Sequence, residues 1–193
     1  MKNSTLVSYL SQFMEITEEE ADLISQQNIV KSFQAGEVLL KEGDTASECY
    51  LVLEGCVRSY YLLDGNDRTA TFYTENEPIV PISYINNSPS PHYLECLEDC
   101  LLSIGNEDKT QAFLTEYPRF APLIGKISNQ LLADRQQALD QFKNLSPEQR
   151  YLKLLETRPD LMARVPQYNL ASYLGITPQS LSRIRKRLES GDS

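Results

Sequence analysis

The chain has 193 residues, is 41% hydrophobic and carries a formal net charge of −9 at pH 7. It is long enough to bury a sizeable core as one large domain or two small ones, and we predict two. An evenly spread negative charge would exclude a general nucleic-acid binder. The charge is uneven, however, because residues 145–193 carry 8 Lys and Arg against 5 Asp and Glu, and residues 1–144 carry 10 against 22. Only the C-terminal segment therefore suits a polyanionic partner.

No segment approaches the roughly 18 consecutive apolar residues that cross a bilayer, so we expect a soluble, cytoplasmic protein with no membrane partner. Four cysteines without a CxxC pair lie in apolar, strand-like surroundings: Cys49, Cys56, Cys96 and Cys100. Buried reduced thiols are the favoured interpretation, with a redox or metal role as the alternative. We predict no metal and no other cofactor.

Thr17 and Glu20 form a capping box that predicts a short helix from about Glu18 to Gln26. Short segments rich in β-branched and aromatic residues follow, separated by turn signals such as Asp64-Gly65-Asn66. Short strands at regular spacing predict a sandwich or barrel. The predicted strands are Ile29–Phe33, Val38–Leu40, Tyr50–Leu53, Cys56–Leu63, Arg68–Tyr73, Tyr93–Leu97 and Cys100–Ile104. Prolines interrupt this pattern between residues 78 and 91.

From about Asn106 the apolar period becomes helical, with a helix near Glu107–Tyr117 and a longer one to about Phe142. Apolar residues of the longer helix step by four and three, as in a heptad seam. We predict that this seam is a dimer interface, with packing on the chain's own sheet as the alternative. Its residues are Phe120, Ile124, Ile127, Leu131 and Ala138.

A hinge is predicted at Asn144–Pro147, where Ser146 and Gln149 form a second capping box and start a helix that runs until Pro159. A short helix near Asp160–Val165 follows it. We expect the last segment of the chain to pack on these two helices.

The stretch from Gln167 to Leu188 predicts two short helices joined by a tight corner, which is the layout of a helix-turn-helix. Gly175 is free to take the left-handed conformation that ends the first helix. Thr177 suits the N-cap of the second helix, and Pro178 its first position. One stripe of the second helix should pack inward on Leu170, Ala171 and Leu174, and it consists of Leu181, Ile184 and Leu188.

The opposite face of the second helix carries residue types that suit DNA, because Arg can bond guanine at two points and Gln can do the same for adenine. The predicted base-reading residues are Gln179, Arg183, Ser180 and Ser182. The predicted phosphate contacts are Thr177, Lys186 and Arg187. The alternative is a solvated cationic last turn that complements the helix dipole.

Three motifs, FQAGEVLLKEGD at 33–44, YLVLEGCVRSYY at 50–61 and LASYLGITPQSLSRIRKRL at 170–188, make nearly the whole chain resemble the Crp/Fnr family of bacterial transcription regulators. The resemblance implies an α+β fold. It comprises a cyclic-nucleotide-binding-like β jelly-roll barrel at 1–117, a long dimerisation helix at 118–143 and a helix-turn-helix DNA-binding domain at 144–193.

The resemblance also implies a homodimer that places two recognition helices in successive major grooves about 34 Å apart. Gln179 and Arg183 match the family's base-reading positions. The expected partners are double-stranded DNA and a second copy of the chain, and the candidate partners are RNA polymerase and an unidentified small-molecule effector.

The chain departs from the family pattern in two places. Cyclic-nucleotide binders of the family carry Gly-Glu-Leu followed by Arg-Ser or Arg-Thr, whereas the corresponding stretch Glu75–Asp99 has no Gly and no Arg. A buried phosphate needs a cation or a cradle of N–H groups, so we predict no cyclic AMP binding of the usual kind. Only residues 189–193 follow the recognition helix, so we also expect a helix-turn-helix without a full wing.

The leading hypothesis is a dimeric, sequence-specific DNA-binding transcription regulator that does not respond to cyclic AMP. The alternative is a cytoplasmic sensor or scaffold module that acts through protein partners and has a degenerate helix-turn-helix. We do not expect an enzyme, because metal-dependent jelly-roll enzymes need clustered ligands and His92 is the single histidine. We interpret His92 as a loop residue without a role.

Overall fold

The computed structural model describes residues 4–27 and 29–190 of the chain. Contacts divide the chain into two units, whose limits are Met1–Ser59 with Phe72–Ala133, and Tyr60–Thr71 with Asp134–Ser193. The division falls within the long helix, between Ala133 and Asp134, and it places the tip of one β-hairpin, Tyr60–Thr71, in the second unit. The sequence-based limits at 117 and 143 differ from it and remain a prediction.

Within residues 4–27 and 29–190, eight antiparallel strands form two four-stranded sheets, which confirms the predicted jelly roll but as two sheets and not one closed barrel. The strand orders are β1-β8-β3-β6 and β2-β7-β4-β5. The strands are β1 (Ile29–Phe33), β2 (Val38–Leu40), β3 (Cys49–Glu54), β4 (Val57–Leu63), β5 (Asn66–Tyr73), β6 (Pro78–Ile79), β7 (Tyr93–Cys96) and β8 (Cys100–Gly105).

Alternation along the strands builds the core of the first unit. In β7, Leu94 and Cys96 are fully buried and Tyr93 and Glu95 only partly so, as expected for a half-buried strand. Ten buried side chains form one apolar cluster, which consists of Leu40, Tyr50, Val52, Val57, Ile79, Leu94, Cys96, Cys100, Leu102 and Ile104. Alternation in β7 therefore directs Leu94 and Cys96 into this cluster.

The helices of the first unit are α1 (Ser4–Leu10), α2 (Glu18–Gln27), α3 (Ile82–Asn86), α4 (Glu107–Glu116) and the first part of α5 (Ala121–Asn144), which a 3₁₀ turn at Pro118–Phe120 precedes. The capping box of α2 is confirmed, since Thr17 N–H donates to the Glu20 carboxylate at 2.9 Å and Glu20 N–H to the Thr17 hydroxyl at 3.3 Å. The sequence did not predict α1, β6 or α3.

A second apolar cluster explains why α1 forms although it has only seven residues. Leu6 and Tyr9 are buried there together with Phe120 and Leu123. Arg119 donates to the carbonyl of Glu15 at 2.7 Å, and Lys126 donates to that of Phe13 at 2.8 Å. Burial of Leu6 and Tyr9 thus stabilises a helix that local propensity alone would not form, and the two cationic donors hold the turn that follows it.

The long helix α5 is exposed along most of its length, and Leu123 is its one buried residue. Of the predicted interface residues, Ile124 is 44% exposed, Ile127 and Leu131 are partly buried, and Ala138 is exposed. Phe120 is only 2% exposed because it packs in the core of its own unit. Phe120 therefore has little side-chain surface to offer to a second copy.

The second unit contains α6 (Pro147–Thr157), α7 (Pro159–Arg164), α8 (Gln167–Tyr173) and α9 (Pro178–Ser190). The capping box predicted at Ser146 and Gln149 is present. The tip of the β4–β5 hairpin turns through Asp64 and Gly65, both with positive φ, as a two-residue type I′ turn requires. Among the described residues, no helix is both long and apolar enough to span a membrane.

Candidate DNA-binding surface

The corner between α8 and α9 is built as the sequence predicts. Gly175 has a φ of +71°, the left-handed conformation that ends α8. Its N–H donates to the Ser172 carbonyl at 3.0 Å, and Ile176 N–H donates to the Ala171 carbonyl at 3.0 Å. These paired bonds are the Schellman motif, which satisfies the last carbonyls of the helix. The corner is therefore fixed by backbone geometry.

The start of α9 is fixed by its N-cap. The Thr177 hydroxyl accepts a hydrogen bond from Ser180 N–H at 3.2 Å, and the Thr177 carbonyl accepts one from Leu181 N–H at 3.0 Å. Pro178 occupies the first helical position, where its missing N–H costs nothing. The direction in which α9 leaves the corner is thus set by the sequence Thr-Pro.

The inner face of α9 packs as predicted at two of three positions. Leu181 and Ile184 are 1% and 8% exposed, and the facing residues of α8 are also buried. Leu188 is 37% exposed, so the prediction that it packs inward is wrong. Seven residues of α8 span about 10 Å, whereas the thirteen of α9 span about 20 Å, so α8 cannot cover the last turns of α9.

The outer face of α9 is polar and open. Gln179, Ser182, Arg183 and Lys186 are all exposed, and their Cα positions lie within roughly a third of the helix circumference. Within the described part of the chain, Gln179, Arg183 and Lys186 make no hydrogen bond or ion pair. Their functional groups are consequently available to an external partner.

The remaining predicted DNA contacts are already engaged within the second unit. The hydroxyls of Thr177 and Ser180 hydrogen-bond each other at 3.0 Å, and Thr177 also caps α9. Arg187 forms an ion pair with Glu148 on α6. Thr177, Ser180 and Arg187 would therefore have to give up these internal partners before their side chains could contact DNA. Gln179, Arg183 and Lys186 have no such partner among the described residues.

Sequence reasoning missed Arg150 on α6, which binds the C-terminal end of the first helix of the helix-turn-helix. Its guanidinium donates to the carbonyls of Phe142 at 2.9 Å, Leu145 at 3.1 Å and Leu174 at 2.8 Å. It also lies 4.4 Å above the centre of the Phe142 ring. Arg150 therefore joins the end of α5 to the end of α8. No local pattern marks such a residue, because its acceptors are backbone carbonyls up to 24 positions away.

The stretch Glu75–Asp99 forms β6, α3 and β7. A buried cation lies beside it, since Arg58 on β4 is 5% exposed and pairs with Glu95 on β7 at 2.8 Å. This pairing neutralises the Arg58 charge. His92 lies in the bend before β7, where burial lowers its pKa. The described residues hold no group of three or more His, Cys, Asp and Glu suited to a metal ion.

Comparisons with known proteins cover both the sheets and the C-terminal helices. Residues 30–117 match the family model of the cyclic nucleotide-binding domain. The transcriptional activator protein FnrA of Stutzerimonas stutzeri is 23% identical over 184 residues, which cover 87% of this chain and 75% of that protein. The fumarate and nitrate reduction regulatory protein of Vibrio cholerae serotype O1 is 22% identical over 173 residues, covering 84% of this chain and 69% of that protein. The structure of FixK2 from Bradyrhizobium japonicum aligns with a TM-score of 0.70 at 20% identity and covers 85% of each chain.

The sequence relatives align over far more of the chain than the cyclic nucleotide-binding domain. The chain contains a cyclic nucleotide-binding domain and is similar over most of its length to transcription regulators of the Crp/Fnr type. The cyclic nucleotide-binding domain runs from β1 to the end of α4. Both sequence relatives are named as regulators, and neither name describes an enzyme.

Proposed function

We propose that the chain is a Crp/Fnr transcription regulator that binds double-stranded DNA sequence-specifically as a homodimer in the cytoplasm, through the outer face of α9. One observation carries the proposal: the side chains of Gln179, Arg183 and Lys186 are exposed and have no partner among the described residues, on a helix whose start and inner face are both fixed. Holding three long polar side chains on one rigid face favours an interface that reads a groove.

The charge of the second unit supports the same partner. Helix α9 carries four cationic side chains and one acidic one, Glu189. Because residues 1–144 are strongly acidic, attraction to phosphates is confined to the C-terminal segment. We infer that Arg183 and Gln179 contact bases and that Lys186 contacts phosphate, while Arg187 contacts phosphate only after it leaves Glu148.

The exposed apolar residues of α5 support the homodimer. Leu132 is 69% exposed, Leu139 47% and Phe142 50%, in addition to Ile124. A helix with one buried residue and this much exposed apolar surface is expected to be covered by a partner. At helical spacing these residues form a stripe that continues from the predicted seam, and a second α5 would cover it by the same residues.

Two observations support a regulator that does not bind cyclic AMP in the usual way. The space between the sheets holds ten buried apolar side chains, and Arg58 is committed to Glu95. An anionic phosphate placed at this cluster would meet apolar side chains, and the nearby Arg58 guanidinium is already paired. We propose that the chain has no enzymatic activity and that its partner at promoters is RNA polymerase. We propose that any small-molecule effector of this domain is not a cyclic nucleotide bound in the usual way.

The proposal is tested by fluorescence anisotropy of the full chain on the DNA upstream of its own coding region. Arg183→Ala should weaken binding to the specific site by about 1–3 kcal/mol, and Gln179→Ala should relax base preference at one position. Lys186→Ala should weaken binding to all sequences alike and reduce the salt slope by about 1.

Lys153→Ala is the matched control, because it removes one positive charge from α6, where Lys153 pairs with Glu156. This control should bind DNA like the parent chain. Binding that Arg183→Ala and Gln179→Ala leave unchanged, or no binding at low salt, would favour a module that acts through protein partners.

A further inference from the structure

One cation of α9 is already neutralised inside the second unit. Arg187 forms an ion pair with the Glu148 carboxylate on α6. Among the described residues this is the only ion pair that a cation of α9 makes, since Arg185 donates to the neutral side chain of Gln167 at 2.8 Å. The pair therefore removes positive charge from α9 at one particular position.

Arg187 lies at the edge of the outer face of α9. At 100° per residue its Cα is one turn beyond that of Arg183 and about 40° around the helix from it. On the other side of Arg187, about 60° further round, Ile184 is buried. Arg187 thus stands between the face proposed to meet the groove and the core of the unit. Backbone phosphates flank a helix that lies in a major groove, so this edge is the place for a phosphate contact.

The partner carboxylate belongs to a firmly placed helix. Ser146 and Gln149 form the capping box of α6, so Glu148 is not required as a cap, and the buried Tyr151 anchors the helix in the core of the unit. Glu148 lies in the first turn of α6, where the helix dipole favours a negative charge. The fold therefore keeps a carboxylate beside Arg187.

The pair is open to solvent, so a phosphate can replace the carboxylate. The side chains of Arg187 and Glu148 are 51% and 35% exposed. Exposed ion pairs contribute little to stability, and a guanidinium binds phosphate through the same two-point geometry as it binds carboxylate. After the exchange, however, the carboxylate of Glu148 remains near the incoming phosphate, and like charges repel each other.

We propose that Glu148 competes with DNA phosphate for Arg187 and thereby lowers the affinity of the helix-turn-helix for DNA. The proposal rests on the proposed DNA binding by α9. In the free chain Glu148 holds the Arg187 guanidinium, and in the complex a backbone phosphate takes its place. Because a phosphate contact carries no sequence information, the competition acts on all duplexes alike. It lowers the absolute affinity and leaves the ratio of specific to non-specific binding unchanged.

The experiment measures the affinity of the full chain with Glu148→Gln by fluorescence anisotropy, on the DNA upstream of its own coding region and on an unrelated duplex of equal length. We expect about three- to fivefold tighter binding to both duplexes at low salt, because the free chain loses the competing pair and the complex loses one repulsive charge. A gain in affinity cannot result from misfolding, which would weaken binding.

Glu156→Gln is the matched control, because it removes the same charge from the same helix, where Glu156 pairs with Lys153. It should bind both duplexes like the parent chain. Arg187→Gln supplies the second arm. In that background Glu148→Gln should strengthen binding by less than about twofold, because no guanidinium remains to be released.

The proposal is overturned if Glu148→Gln gains no affinity, or if the gain is equal with and without Arg187, which would indicate general repulsion only. Tighter binding to the specific duplex alone would also overturn it, because Arg187 would then contact a base. A parent chain that binds neither duplex at low salt overturns DNA binding and this proposal together. Parent binding that Glu148→Gln leaves unchanged overturns only the role of Glu148.

Discussion

At the scale of single residues, Arg150 is the side chain on which the position of the helix-turn-helix most depends. Replacing it with Ala removes three hydrogen bonds to carbonyls at the ends of α5 and α8 and the cation above Phe142. Hydrogen bonds from a charged donor contribute more to folding stability than neutral ones do. We therefore expect Arg150→Ala to lower the free energy of unfolding by about 2–4 kcal/mol, measured by thermal or denaturant unfolding.

Arg150→Lys should recover little of this stability, because an ammonium group does not present the planar fork that reaches several acceptors at once. Lys153→Ala on the same helix is the control and should change stability by less than about 1 kcal/mol, since its ion pair with Glu156 is exposed. Equal effects of Arg150→Ala and Lys153→Ala would contradict this role for Arg150.

The residue scale is also where sequence reasoning succeeds and fails most clearly. Thr177, Pro178 and Gly175 are predicted because each acts on backbone within a few positions of itself. Spacing alone assigns Phe120 to a dimer seam, whereas in the structure Phe120 is buried in the apolar cluster of the first unit. Spacing identifies which residues share a face, but not which neighbour that face contacts.

At the scale of elements, the predicted strands and helices match the structure to within a few residues because turns and caps punctuate the sequence. The missed elements α1, β6 and α3 have seven, two and five residues. Such short segments carry too few residues for a period, and contacts distant in sequence stabilise them. The predicted missing wing concerns residues 189–193, of which 191–193 lie outside the described residues.

The exposed stripe of α5 gives the prediction at this scale. Leu132→Glu with Leu139→Glu should convert a dimer into a monomer, because charges on an apolar seam are not compensated across it. Sedimentation velocity checks the state of association. Both side chains are exposed, so the variant should still fold and should unfold in one cooperative transition.

Ala133→Glu with Gln137→Glu is the matched control, since it adds the same two negative charges to exposed positions on the opposite side of the same helix. It should affect association less than Leu132→Glu with Leu139→Glu does. A chain that is monomeric without any substitution would contradict the dimer.

At the scale of the whole molecule, the chain combines an acidic cyclic nucleotide-binding domain with a cationic last helix. We expect cyclic AMP to leave the melting temperature unchanged, because ten buried apolar side chains cluster in this domain and the Arg58 guanidinium is already paired with Glu95. A ligand at about 100 times its dissociation constant would add roughly 2.7 kcal/mol of stability. Differential scanning fluorimetry with cyclic AMP in excess checks this, and a rise of several degrees would refute it.

The central claim is that two copies of α9 meet successive major grooves of one duplex, and hydroxyl-radical footprinting on the specific site tests it most directly. We predict two protected segments related by two-fold symmetry, with centres about 34 Å apart, or about one turn of the duplex. Inserting about half a turn of DNA between them should abolish the paired protection. A single protected segment, or protection that survives the insertion unchanged, would contradict the account.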